Sequence, residues 1–132
     1  MLPLKKLNVG CDMVRILGLL ALLLTATTVV AQDPVVTDGD KYKVLLENER
    51  VRVLEYRDLS GEQTHEHFHP AFVLYALAPF KRNIHLPDGK VLVREFKAGD
   101  VLFSEEQTHV GENIGSTPTH VIMVELKAAA KP

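Results

Sequence analysis

From Lys41 onward the chain is written in short β-type runs at close spacing, divided by turn residues, and nowhere sustains a 3.6-residue apolar period. Such punctuation leaves no room for long helices or parallel crossovers. Val44 to Glu47 reads as one strand and Val51 to Arg57 as the next, with Val51 and Val53 alternating against Arg50 and Arg52. A turn at Gly61 follows. His65 to Leu77 is a largely apolar stretch containing Pro70, and proline, which has no N–H for a ladder, demands an edge, a bulge or a break there. Ile84-His85-Leu86 and Val91-Leu92-Val93 flank Pro87-Asp88-Gly89-Lys90 and so read as a hairpin, because proline presets the turn and Asp-Gly supplies its left-handed position. Ala98-Gly99-Asp100 turns the chain into Val101 to Phe103, and Gly115-Ser116-Thr117-Pro118 turns it into Val121 to Leu126. Six to eight short strands in one core-sized domain, residues 41–127, predict an all-β sandwich or barrel.

The first 31 residues have a different composition. They hold 20 of the 61 apolar side chains, with Lys5, Lys6 and Arg15 preceding an uncharged run from Ile16 to Gln32. A positive end, a Leu-rich middle and then Val29-Val30-Ala31 follow the order of a secretory signal; the alternative is an uncleaved membrane anchor, for which three threonines near the end of the run are unfavourable. Cys11 precedes the apolar run and is wrongly placed for a lipid-modified N-terminus. A periplasmic or secreted location is expected, with membrane contact only through an uncleaved leader. Residues 32–40 are expected as a linker or a loosely attached first strand, and 128–132 as a disordered tail.

Without the leader, 101 residues carry 12 Lys/Arg against 16 Asp/Glu and no cysteine. Thiol and disulfide chemistry are thereby excluded from the domain, and with no basic cluster no nucleic-acid partner is expected. All six histidines remain, and three of them stand at 65, 67 and 69. Residues two apart on a strand share a face, so His67 and His69 can converge on one ion, and neutral imidazole is the commonest nitrogen ligand for Fe, Mn, Zn, Ni and Cu. His109 is the natural third ligand. His65 is either a neighbouring base at the rim or a solvated residue where the strand begins. His85 and His120 read as ordinary polar residues of alternating strands.

These residues resemble the cupin superfamily of small double-stranded β-helix (jelly-roll) barrels. Gly61, five residues, then His67-Phe68-His69 is similar to the first cupin motif, and Gly99-Asp100-Val101-Leu102-Phe103 leading to His109 and Asn113 is similar to the second. The resemblance spans Tyr42 to Leu126. Two features depart from it: the glutamate ligand usual after the second histidine is replaced by Val73 or Leu74, and Glu105 and Gln107 stand where a Pro-x-Gly turn is usual. The resemblance therefore implies a three-histidine site with open coordination positions, as in Fe(II) dioxygenases of this superfamily, for which Glu105 or His65 is a candidate replacement group. It also implies a homodimer.

Two functions follow as expectations. One is a metal-dependent enzyme, dioxygenase-like, acting on a small molecule in a pocket lined by Phe72, Tyr75, Phe103 and Met123. The other is a non-catalytic module that binds or senses a small ligand. With no arginine clearly facing inward and no second glutamate, neither an acidic sugar nor a thiol is favoured as substrate.

Overall fold

The computed structural model describes residues 32–128, so the leader and nearly all of the expected tail lie outside the described part. There, nine strands follow one helical turn: α1 (Pro34–Thr37), β1 (Tyr42–Glu47), β2 (Val51–Asp58), β3 (His67–His69), β4 (Phe72–Ala76), β5 (Phe80–His85), β6 (Val91–Phe96), β7 (Val101–Ser104), β8 (Gln107–Asn113) and β9 (Thr119–Leu126). They form a five-stranded sheet of order β1-β2-β9-β4-β7 and a four-stranded sheet of order β3-β8-β5-β6, with every pairing of these strands antiparallel.

Each expected turn falls where its chemistry places it. Gly61, Gly89 and Gly99 all have positive φ, and the Leu86–Lys90 turn closes β5 on β6 with Leu86 N–H donating to the Lys90 carbonyl at 2.8 Å. Pro70 breaks the strand. Because of that break, β3 joins the four-stranded sheet while β4 joins the other, so the chain switches sheets between His69 and Phe72. The strand β8 is not legible as one in the sequence, since Gln107, His109, Gly111 and Asn113 occupy the positions where an apolar alternation would be read.

The inner faces of the sheets meet in a core of Tyr42, Leu54, Tyr56, Phe72, Ala76, Phe80, Val121 and Met123. All but Phe80 come from the larger sheet. The smaller sheet instead offers His67, His69, His109 and Arg82 to the interior, which makes its inner face the polar wall.

Residues 32–40, expected as a linker or a loosely attached first strand, carry the helical turn α1. Asp33 caps α1 by accepting from Val35 N–H at 2.8 Å, Pro34 and Asp38 are buried, and Phe68 N–H donates to the Gln32 carbonyl at 3.0 Å, holding the segment beside β3. The cause is local: Pro34 suits the first helical turn and Asp33 satisfies its free N–H.

Candidate metal centre

His67 and His69 project to the same inner face of β3, and β8 pairs with β3 so that His109 stands directly opposite His67. All three are buried, and each offers a ring nitrogen such that the three atoms lie within 4.8 Å of one another. The rings pack at centroid distances of 4.7 Å (His67–His109), 4.8 Å (His67–His69) and 5.4 Å (His69–His109).

Hydrogen bonds fix which nitrogen of two rings is free. His67 Nδ1 is 2.8 Å from the His65 carbonyl, which only accepts, so Nδ1 carries the proton and Nε2 the lone pair. His69 Nδ1 is 2.6 Å from Glu125 Oε1. Burial raises the Glu125 pKa, but hydrogen bonds from His69 and Arg52 outweigh it and hold the carboxyl below its usual value, so Glu125 accepts as a carboxylate. His69 Nδ1 therefore carries a proton, and Nε2 is the atom left to face the site. Arg52 donates to Glu125 at 2.6 Å and also pairs with Asp33, tying the centre to α1. A carboxylate behind a histidine is the usual way a metal ligand is oriented and made more basic.

Burial, with the neighbouring His69, lowers the His67 pKa to about 4, and burial with His67, His69 and Arg82 pushes that of His109 well below 6.5. Both rings are neutral near pH 7, as ligation requires. His109 Nδ1 is buried with no hydrogen-bond partner among the described residues. An orphaned ring nitrogen beside two further buried imidazoles is a costly arrangement for an apolar interior and a suitable one for a cation.

Neither candidate replacement group reaches the centre. Glu105 is exposed in the turn between β7 and β8, and the His65 side chain is 78% exposed, bonding Asp38 through Nδ1 at 3.0 Å while its carbonyl orients His67. What does reach it is Tyr42, on β1. Its Oη lies 3.2 Å from His67 Nε2 and 3.4 Å from His69 Nε2, and burial raises its pKa well above 10.

A cavity of about 100 Å³ opens beside the histidines, lined by His69 and His109, by Phe72, Leu74 and Met123, and by Arg82 among others. Phe72 and Met123 are two of these lining residues. Phe103 borders it yet is 55% exposed, and Tyr75 is 45% exposed and absent from the lining, because strand parity on β4 turns Phe72 and Leu74 inward and Tyr75 out.

The expectation of no inward arginine is overturned. Arg82 lies on the inner face of β5 between Phe80 and Ile84, with its guanidinium 4.9 Å over the Tyr56 ring and 3.8 Å from Asp58. One donor, Nη2, bonds Tyr56 Oη at 3.2 Å, whereas Nε is buried with no partner among the described residues. Gly111 makes the space: a Cβ there would collide with Arg82 Nη2. The remaining histidines are surface pairs, His85 Nε2 with Glu112 at 2.9 Å and His120 Nε2 with Glu55 at 2.8 Å.

No protein-family model matches the sequence, and no curated protein matches it either. Solved structures do. A cupin domain from Bordetella pertussis Tohama I is 26% identical with a TM-score of 0.61, over 66% of this chain and 92% of that one. A double-stranded β-helix protein from Klebsiella pneumoniae is 24% identical with a TM-score of 0.54, covering 68% and 78% of the two chains. An RmlC-like cupin from Methanocaldococcus jannaschii is 18% identical with a TM-score of 0.53, covering 65% and 78%.

Proposed function

We propose that this chain, which has the double-stranded β-helix fold of the cupins, binds a divalent transition metal through His67, His69 and His109 and uses it on a small molecule held in the adjoining cavity. The observation that supports this most is the convergence of three buried imidazoles, two with their Nδ1 already committed to a carbonyl or carboxylate and their Nε2 turned toward one point beside the Tyr42 hydroxyl. The donor set fits Fe, Mn, Zn, Ni or Cu without choosing among them.

When bound, the ion supplies Lewis acidity or, if redox-active, a platform for dioxygen, so the reaction class we favour is a dioxygenase-like oxidation. The chain's own residues supply the rest. Glu125 and the His65 carbonyl hold the rings, Phe72, Leu74 and Met123 exclude water, and Arg82 presents an incompletely used cation to the cavity. A buried guanidinium with spare donors favours a small anionic ligand, most simply a carboxylate. We place the protein in the periplasm or outside the cell on the strength of the leader, residues 1–31.

Elemental analysis of protein from its native compartment, and of protein reconstituted with each candidate metal, tests the reading. Stoichiometric metal in the wild type, lost in His109→Ala with the fold retained, is the expected result. Only trace metal after every reconstitution refutes it. Ligand-dependent stabilisation without turnover of any small acid would instead establish the alternative, a non-catalytic binding or sensing module.

A further inference from the structure

The two histidines of β3 aim their Nε2 atoms at one oxygen. Tyr42 Oη is 3.2 Å from His67 Nε2 and 3.4 Å from His69 Nε2, and it has no other hydrogen-bond partner among the described residues. Oη and the two Nε2 atoms therefore meet at one place in the interior, where Tyr42, His67 and His69 are all buried. The spacing fits a shared centre: ligand atoms on a tetrahedral centre with bonds of about 2.0–2.1 Å are about 3.3–3.4 Å apart, close to the separation found here between the oxygen and both nitrogens.

We propose that Tyr42 Oη is the fourth protein ligand of the metal, making the centre three nitrogens and one phenolic oxygen. The inference rests on the metal-binding reading above. It supplies an oxygen donor to a centre in which Val73 or Leu74 replaces the usual carboxylate, and it draws that donor from β1, on the opposite sheet from the histidines. Coordination exchanges the phenol O–H bond for an oxygen–metal bond, and the proton leaves to solvent. An anionic oxygen beside three neutral imidazoles favours borderline or hard ions such as Fe(III), Cu(II) or Zn(II) over Cu(I). Tyr42 also packs against Tyr56 with ring centroids 4.5 Å apart, which fixes the ring independently of its hydroxyl.

The test uses the full chain loaded with Cu(II) or Fe(III) alone. Phenolate bound to either ion gives a visible charge-transfer band with tyrosine vibrations enhanced in its resonance Raman spectrum, whereas three imidazoles and water give neither. The wild type is expected to show both. Tyr42→Phe, which keeps the packed ring, is expected to lose the band, to retain metal, and to bind it about tenfold or more weakly, the scale on which even outer partners of a metal act. Tyr56→Phe is expected to keep the band, since its hydroxyl faces Asp58 and Arg82 rather than the histidines. Wild-type protein that binds the ion stoichiometrically without the band, or Tyr42→Phe that retains band and affinity, overturns the inference while leaving the three-histidine site standing. Failure of the wild type to bind either ion overturns both.

Discussion

Acidifying the metal-free protein from pH 7 to pH 4.5 is expected to cost it a measurable share of its stability, part of which a single ring, His67, contributes. His67 has a folded pKa of about 4, lowered first by burial and then by His69, against 6.5 in the unfolded chain. Between those values the unfolded state holds the extra proton, so stability rises with pH across the window: the contribution is complete above 6.5 and is lost as pH falls toward 4. Integrating the two titrations from pH 7 to 4.5 gives a loss of about 2 kcal/mol from His67, since each tenfold difference in proton affinity between the two states is worth about 1.4 kcal/mol. His109, also lowered, adds in the same direction. For a domain of this size that corresponds to a fall in Tm of about 8–16 °C. Carboxylates such as Glu125, held below their usual range, lose their contribution at still lower pH, which is why the series stops at 4.5. The assay is thermal or urea unfolding of chelator-treated wild type and of His67→Leu, a buried apolar replacement that removes the titration. The wild type should lose about 2 kcal/mol more than the variant on acidification. Equal losses in the two proteins would refute the assignment of a neutral, desolvated His67.

The remaining predictions concern the supports of the centre, the cavity and the core. Glu125→Gln keeps a hydrogen-bond acceptor behind His69 but removes the charge, and metal affinity by competition titration should fall by about 10–100-fold with the fold intact. Gly111→Ala puts a methyl into the space that Arg82 Nη2 occupies; because a guanidinium is the far end of a flexible chain it can swing aside, so the protein should fold and bind metal while losing affinity for small carboxylates, read by calorimetry. Unchanged carboxylate binding in that variant would remove Arg82 from the ligand site. Leu54→Ala, in the middle of β2 and fully buried, should destabilise by about 2–5 kcal/mol in urea unfolding without altering metal stoichiometry.

Much of the strand order is legible because its punctuation is local. Gly61, Gly89 and Gly99 sit at positive φ, Pro70 breaks the strand it interrupts, and Asp88-Gly89 closes the hairpin, each for a reason contained in a few residues. His67 and His69 are legible for the same reason, since a spacing of two on a strand is itself the statement that they share a face. The β8 strand is not, because its inner positions are Gln107, His109, Gly111 and Asn113 rather than an apolar series. Nor is β1 from its true start: a strand beginning at Val44 leaves Tyr42 outside it and hides the hydroxyl that meets the histidines. Tyr75 falls outside the pocket because an aromatic on β4 lines it only at the parity of Phe72.

Three of the residues hidden from sequence reading share one property, and it explains the omission. Arg82 lies between Phe80 and Ile84, Glu125 continues the inward series Val121 and Met123, and Asp58 continues Leu54 and Tyr56. In each case a charged side chain stands at a position of apolar parity, where a reading based on hydrophobic alternation expects the strand to end or turn outward. Burying a charge there is unfavourable unless something across the core answers it. The answers come from distant parts of the chain: Arg52 and His69 for Glu125, Tyr56 and Asp58 for Arg82, Asn113 and Thr119 for Asp58. Local sequence cannot supply those partners, but it does mark the positions that need them. A charge in phase with an apolar series is therefore a stronger pointer to the interior of a site than proximity to a motif, which favours Glu105 and His65 although both lie at the surface.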